Sequence, residues 1–115
     1  MDFRKQKPIY LQIADWLMEQ VLQGQLVADD RMPSVRDVAS QMGVNPNTVV
    51  RTFDYLQQEG IIYQRRGMGY FVANGASERI LDNQRRVFME EELPIIKQKM
   101  QLLGITFDEL KGGCE

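Results

Sequence analysis

Residues 31–72, RMPSVRDVASQMGVNPNTVVRTFDYLQQEGIIYQRRGMGYFV, decide the fold of this chain. Ser34 with Asp37 resembles a capping box, and the apolar residues after it recur at three- and four-residue steps, which predicts a short helix that a glycine ends. Asn45 is a suitable N-cap and Pro46 a suitable first residue for a second helix. The pattern therefore predicts two helices joined by a tight turn.

A β-hairpin is expected to follow the second helix. Residues 61–63 and 70–72 are β-prone, and the QRRGMG segment between them offers Gly67 and Gly69 for positive φ. Two helices followed by a hairpin with a Gly-rich, Arg-bearing tip form the plan of a winged helix-turn-helix, which fits one helix into a DNA major groove. We therefore expect a mostly α fold with a small β-hairpin, followed by C-terminal dimerisation helices.

The polar residues of this motif suit contacts with double-stranded DNA. The candidate DNA-binding residues are Arg36, Asn47, Thr48, Arg51, Arg65, Arg66 and Gly67. Asn47 and Thr48 are short and polar at the start of the recognition helix, and Arg51 can reach a guanine with two hydrogen bonds or neutralise a phosphate. Arg36 is placed to take a phosphate. The wing-tip arginines, around the thin backbone of Gly67, can enter a minor groove.

The flanking segments predict further helices. An apolar stripe after Pro8 predicts a first amphipathic helix, and residues 25–33 read as a loop. Ser77 is expected to cap a long helix that runs to about Leu103, which Pro94 should kink or break. The candidate dimerisation residues, spaced seven apart, are Leu81, Phe88, Ile95 and Leu102. This stripe packs either between subunits, which we favour, or against the first helix of the same subunit.

Length and composition limit the function classes. A chain of 115 residues has room for one modest core plus an appendage, here assigned as residues 1–76 for DNA binding and residues 77–115 for dimerisation. It has no membrane-length apolar run, no secretory signal and a single cysteine, Cys114, so we expect a cytoplasmic protein without a membrane partner. The net charge of −2 is unusual for a DNA-binding protein, so the placement of the arginines matters more than their number.

Enzyme activity is not expected. The chain has no histidine, one cysteine, no P-loop and no complete dinucleotide motif, so we predict no catalytic residue, no metal site and no cofactor. Winged helices also serve as protein-interaction modules. The alternative function is therefore a protein-interaction adaptor without specific DNA binding.

The stretch from about Pro8 to Val72, with the core PSVRDVASQMGVNPNTVVR…LQQEGIIYQRRGMGYFV, resembles the DNA-binding domain of the GntR family of bacterial transcription regulators. The NPNTV turn and the short chain are most similar to the YtrA subfamily. Many family members carry an arginine where this chain has Pro46, and the resemblance implies Arg51 as its substitute.

This resemblance implies a homodimer that binds a two-fold, palindromic operator. Family members carry a C-terminal domain for effector binding or oligomerisation, and the roughly 38 residues after Ser77 are too few for a separate domain with a drug-sized cavity. The implied function is a transcription regulator, and we expect a repressor because blocking polymerase demands nothing beyond binding. Neither an effector nor the operator sequence follows from these residues.

Overall fold

The computed structural model describes residues 7–113, which form a mostly helical fold with one β-hairpin. In chain order the elements are α1 (Ile9–Leu22), α2 (Val35–Met42), α3 (Pro46–Gln58), β1 (Ile62–Arg65), β2 (Gly69–Val72), α4 (Ala76–Val87), a π-helical turn (Phe88–Glu92), α5 (Leu93–Leu103) and α6 (Phe107–Gly113). The predicted fold class is thus confirmed. Over the described residues, every helix is too short or too polar to span a bilayer.

The turn between α2 and α3 is built by the local sequence. The Asp37 N–H donates to Ser34 Oγ at 3.0 Å, which caps α2, and Gly43 ends this helix with a φ of 69°. The Asn47 N–H donates to Asn45 Oδ1 at 2.8 Å, which caps α3. These bonds satisfy backbone groups at the helix ends, so the predicted caps are confirmed.

The core of the first compact unit, which ends at Asn83, combines side chains from α1, α2, α3, the hairpin and α4. Its largest fully buried residues are Phe53, Leu17, Met18, Leu56, Ile61, Ile80, Val38, Val49, Val72 and Thr52. The Thr52 Oγ1–H donates to the Tyr10 carbonyl oxygen at 2.7 Å, which ties α3 to the start of α1. The apolar stripe of α1 extends less far than predicted, because Ile9 is the first helical residue and is 56% exposed.

The hairpin pairs Ile62 with Val72 at its base and Arg65 with Gly69 at its tip. The backbone before α2 also bonds to this hairpin: the Asp29 N–H donates to the Val72 carbonyl oxygen at 2.8 Å, and the Val72 N–H donates to the Asp30 carbonyl oxygen at 2.9 Å. The predicted loop over residues 25–33 contains no helix or strand, although its second half forms backbone hydrogen bonds with β2 and an isolated β-bridge at Arg31.

The division of the chain falls later than the predicted boundary after residue 76. Ala76 and Ile80 of α4 belong to the core of the first unit, and the Asn83 amide donates to the side chains of Tyr55 on α3 and of Glu59, the C-cap residue of that helix. Helix α4 begins at Ala76, so Ser77 lies in its first turn and not at its cap. The first seven residues of the predicted C-terminal segment thus pack with the winged unit, up to Asn83.

The second unit begins at Gln84 and contains the π-helical turn. Leu93 N–H donates to the Phe88 carbonyl oxygen, the longer spacing of a π-helix, and Pro94 sits in the first turn of α5. Proline lacks the N–H that an α-helix would use there. The predicted long helix is therefore interrupted just before Pro94, and α5 ends at Gly104 in the left-handed conformation.

Candidate nucleic-acid interface

Helix α3 presents one polar face to solvent. Val49 and Phe53 are fully buried, whereas Asn47, Arg51 and Gln58 are exposed on the other side. Thr48, beside this face, is half-buried. The helical periodicity of the sequence correctly predicts which residues of α3 are available to a ligand.

Arg51 is held by an aromatic ring from another helix. Its guanidinium carbon lies 4.1 Å from the centroid of the Tyr10 ring, in the first turn of α1. That ring meets Tyr55 edge to face, with 6.4 Å between centroids. Tyr10 was not among the predicted site residues, because sequence spacing within one helix gives no sign of a contact between α1 and α3.

Arg36 is the second residue of α2 and is exposed. It lies close to the capped end of that helix, where Ser34 Oγ binds the Asp37 N–H. A helix N-terminus carries unpaired N–H groups and a partial positive charge, so a cationic side chain here adds to a locally positive surface. This position suits the phosphate contact predicted for Arg36.

The tip of the wing is a three-residue turn between the last pair of the hairpin, Arg65 and Gly69. Arg66, Gly67 and Met68 form this turn, and all three are exposed. Gly67 has a φ of 77°, a conformation that costs glycine little and other residues more. Met68 is 54% exposed and was missed by sequence reasoning, which considered only the basic residues and glycine of the tip.

Arg65 lies on the face of the hairpin and not at its tip. The rings of Tyr63 and Phe71 stack with centroids 5.7 Å apart, and the Arg65 guanidinium carbon is 5.7 Å and 5.2 Å from their centroids. The Tyr63 hydroxyl also donates to Asp29 Oδ1 at 2.8 Å, and this bond raises the pKa of Tyr63. Arg65 and Arg66 therefore occupy different environments although they are neighbours in sequence.

Arg31 is a further cation beside the wing that the sequence prediction did not include. Its backbone bridges that of Phe71, and its side chain approaches Gly69 so closely that a Cβ there would lie 3.3 Å from Nε. Gly69 leaves the space that this approach needs. The sequence prediction left Arg31 out because it falls in a stretch predicted to be loop, where its position beside the wing could not be seen.

Across the described residues, no group of three or more acidic, histidine or cysteine side chains is placed to hold a metal ion. The exposed side chains of α3 and of the wing tip include amides and guanidinium groups beside the carboxylate of Asp54. The amides and guanidinium groups suit hydrogen bonding and neutralisation of an anionic partner.

Residues 9–72 match the family model described as bacterial regulatory proteins, gntR family. Over 113 residues the chain is 40% identical to the HTH-type transcriptional regulator YhcF of Bacillus subtilis (strain 168), covering 98% of this chain and 92% of that protein. Over 110 residues it is 34% identical to the HTH-type transcriptional repressor YtrA of the same organism, covering 96% of this chain and 84% of that protein.

Solved structures extend this similarity. A transcriptional regulator of the GntR family from Bacteroides thetaiotaomicron matches with a TM-score of 0.75 and 40% identity, over 91% of each chain. The DNA-binding domain of AraR in complex with operator ORX1 matches with a TM-score of 0.57 and 28% identity, over 58% of this chain and 81% of that one.

Proposed function

The chain belongs to the gntR family of bacterial regulatory proteins, and we propose that this transcription regulator binds a palindromic operator as a homodimer and represses transcription there. The observation that carries the proposal is the exposed polar face of α3, where Asn47 and Arg51 lie opposite the buried apolar face of the same helix. Repression is the simplest mode because it needs only occupancy of the site, and the similar protein YtrA is named a repressor. As a regulator of bacterial transcription it would act in the cytoplasm.

In this proposal the side chains divide between reading bases and holding phosphates. Asn47, Thr48 and Arg51 contact base edges in the major groove, since they lie on the first two turns of α3. Arg36 holds a phosphate, and the wing tip around Arg66 enters a minor groove. The similarity to an AraR domain captured on its operator supports this general placement.

The wing arginines receive unequal roles. Arg66 is exposed in the turn beside Gly67 and can extend into a groove. Arg65 remains a DNA contact in the proposal, but it lies on the strand and not in the turn at the tip, so it is assigned to the phosphate backbone beside the wing.

The homodimer is assigned to the C-terminal stripe. Leu81, Phe88 and Leu102 are exposed in the single chain, Leu102 by 81%, while Ile95 is half-buried. Large apolar side chains that recur along helices and remain exposed in the single chain support an interface that a partner covers. A two-fold dimer would set two recognition helices about 34 Å apart, one turn of DNA.

The first experiment is selection of random duplex DNA on the purified protein, followed by affinity measurements over a salt series. We expect a two-fold motif, with an affinity that falls linearly as salt rises on a double-logarithmic plot. Recovery of no motif, together with weak binding that salt does not change, would instead favour a protein-interaction adaptor; recovery of no motif with salt-dependent binding would favour a regulator that needs an effector.

The role of Arg51 is tested with Arg51→Ala on the selected duplex and on duplexes changed at single base pairs. If Arg51 reads a base, its removal weakens binding by about 1–3 kcal/mol and relaxes the preference at one position of each half-site. Gln58→Ala, at the far end of the same exposed face, is the matched control and should bind as the parent does. Equal weakening on all sequences would make Arg51 a phosphate contact.

The dimer is tested with Leu102→Glu and, as its control, Gln101→Glu, a change at an exposed neighbour on α5. Burying a carboxylate in an apolar interface is costly, so light scattering should report a monomer for the first variant and a dimer for the second. A dimeric Leu102→Glu protein would place the interface elsewhere.

A further inference from the structure

We propose that Tyr10 is a positioning residue for DNA recognition: its ring holds the Arg51 guanidinium in the orientation in which Arg51 contacts DNA. The inference rests on the proposed function. Its basis is the 4.1 Å distance between the Arg51 guanidinium carbon and the Tyr10 ring centroid. The ring comes from α1, outside the helix-turn-helix itself, so α1 contributes to the recognition surface as well as to the core.

Tyr10 is fixed from two directions. Its carbonyl oxygen accepts a 2.7 Å hydrogen bond from Oγ1 of Thr52, a fully buried residue that directly follows Arg51 in α3. Its ring meets the Tyr55 ring at 79°, and the Tyr55 hydroxyl accepts a 2.7 Å bond from the buried Asn83 amide. The platform under Arg51 is therefore tied to α3 itself and, through Tyr55, to α4.

A stacked guanidinium keeps its hydrogen-bonding capacity. The Arg51 guanidinium carbon lies over the Tyr10 ring, and the N–H donors of a guanidinium all lie in its own plane and point outward. Those donors can bind a guanine edge or a phosphate while the stack persists. An unsupported arginine on an exposed helix face samples many rotamers and loses that freedom on binding. The stack removes part of this loss before DNA arrives.

The opposite effect is also physically possible, since a ring that binds the cation could withhold it from DNA. The two cases predict opposite effects of the ring on DNA affinity. A positioning ring makes DNA binding tighter than it would be without the ring, whereas a sequestering ring makes it weaker. Replacement of Tyr10 therefore distinguishes them directly.

The experiment measures binding of the full chain to the selected duplex by fluorescence anisotropy, for Tyr10→Phe and Tyr10→Leu, each with Arg51 present and with Arg51→Ala. Tyr10→Phe keeps the ring and should bind within about twofold of the parent. Tyr10→Leu should bind about three- to tenfold more weakly, the size of part of the side-chain entropy that an arginine loses when it is immobilised. In the Arg51→Ala background, Tyr10→Leu should have no effect on DNA affinity. Circular dichroism confirms folding, and Tyr10→Met replaces the leucine variant if that one is unfolded.

Several outcomes would overturn the inference and leave the proposed function intact. An equal loss for Tyr10→Phe and Tyr10→Leu would make the hydroxyl itself the DNA contact. An equal loss with and without Arg51 would separate the two residues, and tighter binding by Tyr10→Leu would make the ring a sequestering device. Failure of the parent protein to select any sequence would refute the proposed function instead, so the two failures are distinguishable.

Discussion

Replacement of Asn83 by alanine is expected to lower the free energy of unfolding by about 2–3 kcal/mol. Asn83 is only 3% exposed, and its amide donates to Tyr55 Oη at 2.7 Å and to Glu59 Oε1 at 2.6 Å. A neutral hydrogen bond contributes about 1 kcal/mol net, and one to a charged group about 1.5–3 kcal/mol. Water that enters the space left by the amide recovers part of this sum.

The assay is thermal and urea denaturation of Asn83→Ala beside Asp82→Ala, its exposed neighbour on α4. Both are measured at one protein concentration, since association shifts apparent stability. A loss of 2–3 kcal/mol corresponds to a melting temperature roughly 10 °C lower for a domain of this size. The control should stay within about 0.5 kcal/mol of the parent, as surface substitutions do.

A parent-like melting temperature for Asn83→Ala would refute this account of α4. The helix would then be held by apolar contacts, through Ile80 and Ala76, and by the hydrogen bond from Arg79 to the Gly60 carbonyl oxygen. The two hydrogen bonds that the Asn83 amide donates would make no net contribution to stability. A loss beyond about 4 kcal/mol would also contradict the sum, because it would require rearrangement of the core and not only loss of the bonds.

Two further predictions concern the proposed DNA interface, and a third concerns the hydrogen bond between Tyr63 and Asp29. Arg36→Ala should weaken binding to all sequences alike and reduce the slope of the double-logarithmic salt plot by about one, as for a lost phosphate contact. Arg66→Ala should weaken binding to the selected duplex more than Arg65→Ala does, because Arg66 lies in the exposed turn at the tip and Arg65 lies on the strand before it; equal losses would contradict this ranking. Because its bond to Asp29 raises the pKa of Tyr63, the folded state retains this proton to higher pH than an unfolded chain. The stability from that bond is fully present below the ordinary tyrosine pKa of 10.0 and is lost as pH rises through the raised value. Ultraviolet titration should therefore lose a late-ionising component in Tyr63→Phe, and an unchanged titration curve would refute the assignment.

Features set by neighbouring residues could be predicted from the sequence. The caps at Ser34 and Asn45 and the left-handed Gly43 depend on backbone groups within a few positions, so residue type alone identifies them. The faces of α3 follow from helical periodicity for the same reason.

Features that depend on distant partners could not be predicted. The backbone around Asp29 pairs with β2, about forty residues later, and its own residues carry no alternating apolar pattern that would indicate a strand. The start of the predicted dimerisation helix shows a similar limit. An amphipathic pattern indicates that one face is buried, but it does not say that Ile80 is buried against the winged unit while Leu81 remains exposed.

The different placement of the two wing arginines could have been predicted from the sequence, but residue type alone does not distinguish them. Side chains alternate along a strand, so Arg65, two residues after Tyr63, shares its face, and the hairpin register places Phe71 opposite Tyr63 on that face. The stack of a cation over two rings follows from these two facts once the register is known. Arg66 lies beyond the last pair, where the alternation ends.

The placement of charge along α3 limits how this helix can approach DNA. Arg51 and Asp54 both lie on its exposed face, with the carboxylate nearly one turn further along. A carboxylate is repelled by phosphates, whereas the first turns offer Asn47, Arg51 and the positive end of the helix. The helix is therefore suited to enter a groove by its N-terminal end, with Asp54 held away from the backbone. In the proposed binding mode, this polarity would let a chain of net charge −2 present Asn47, Arg51 and the positive end of α3 to DNA, because local placement of charge matters more than the net charge.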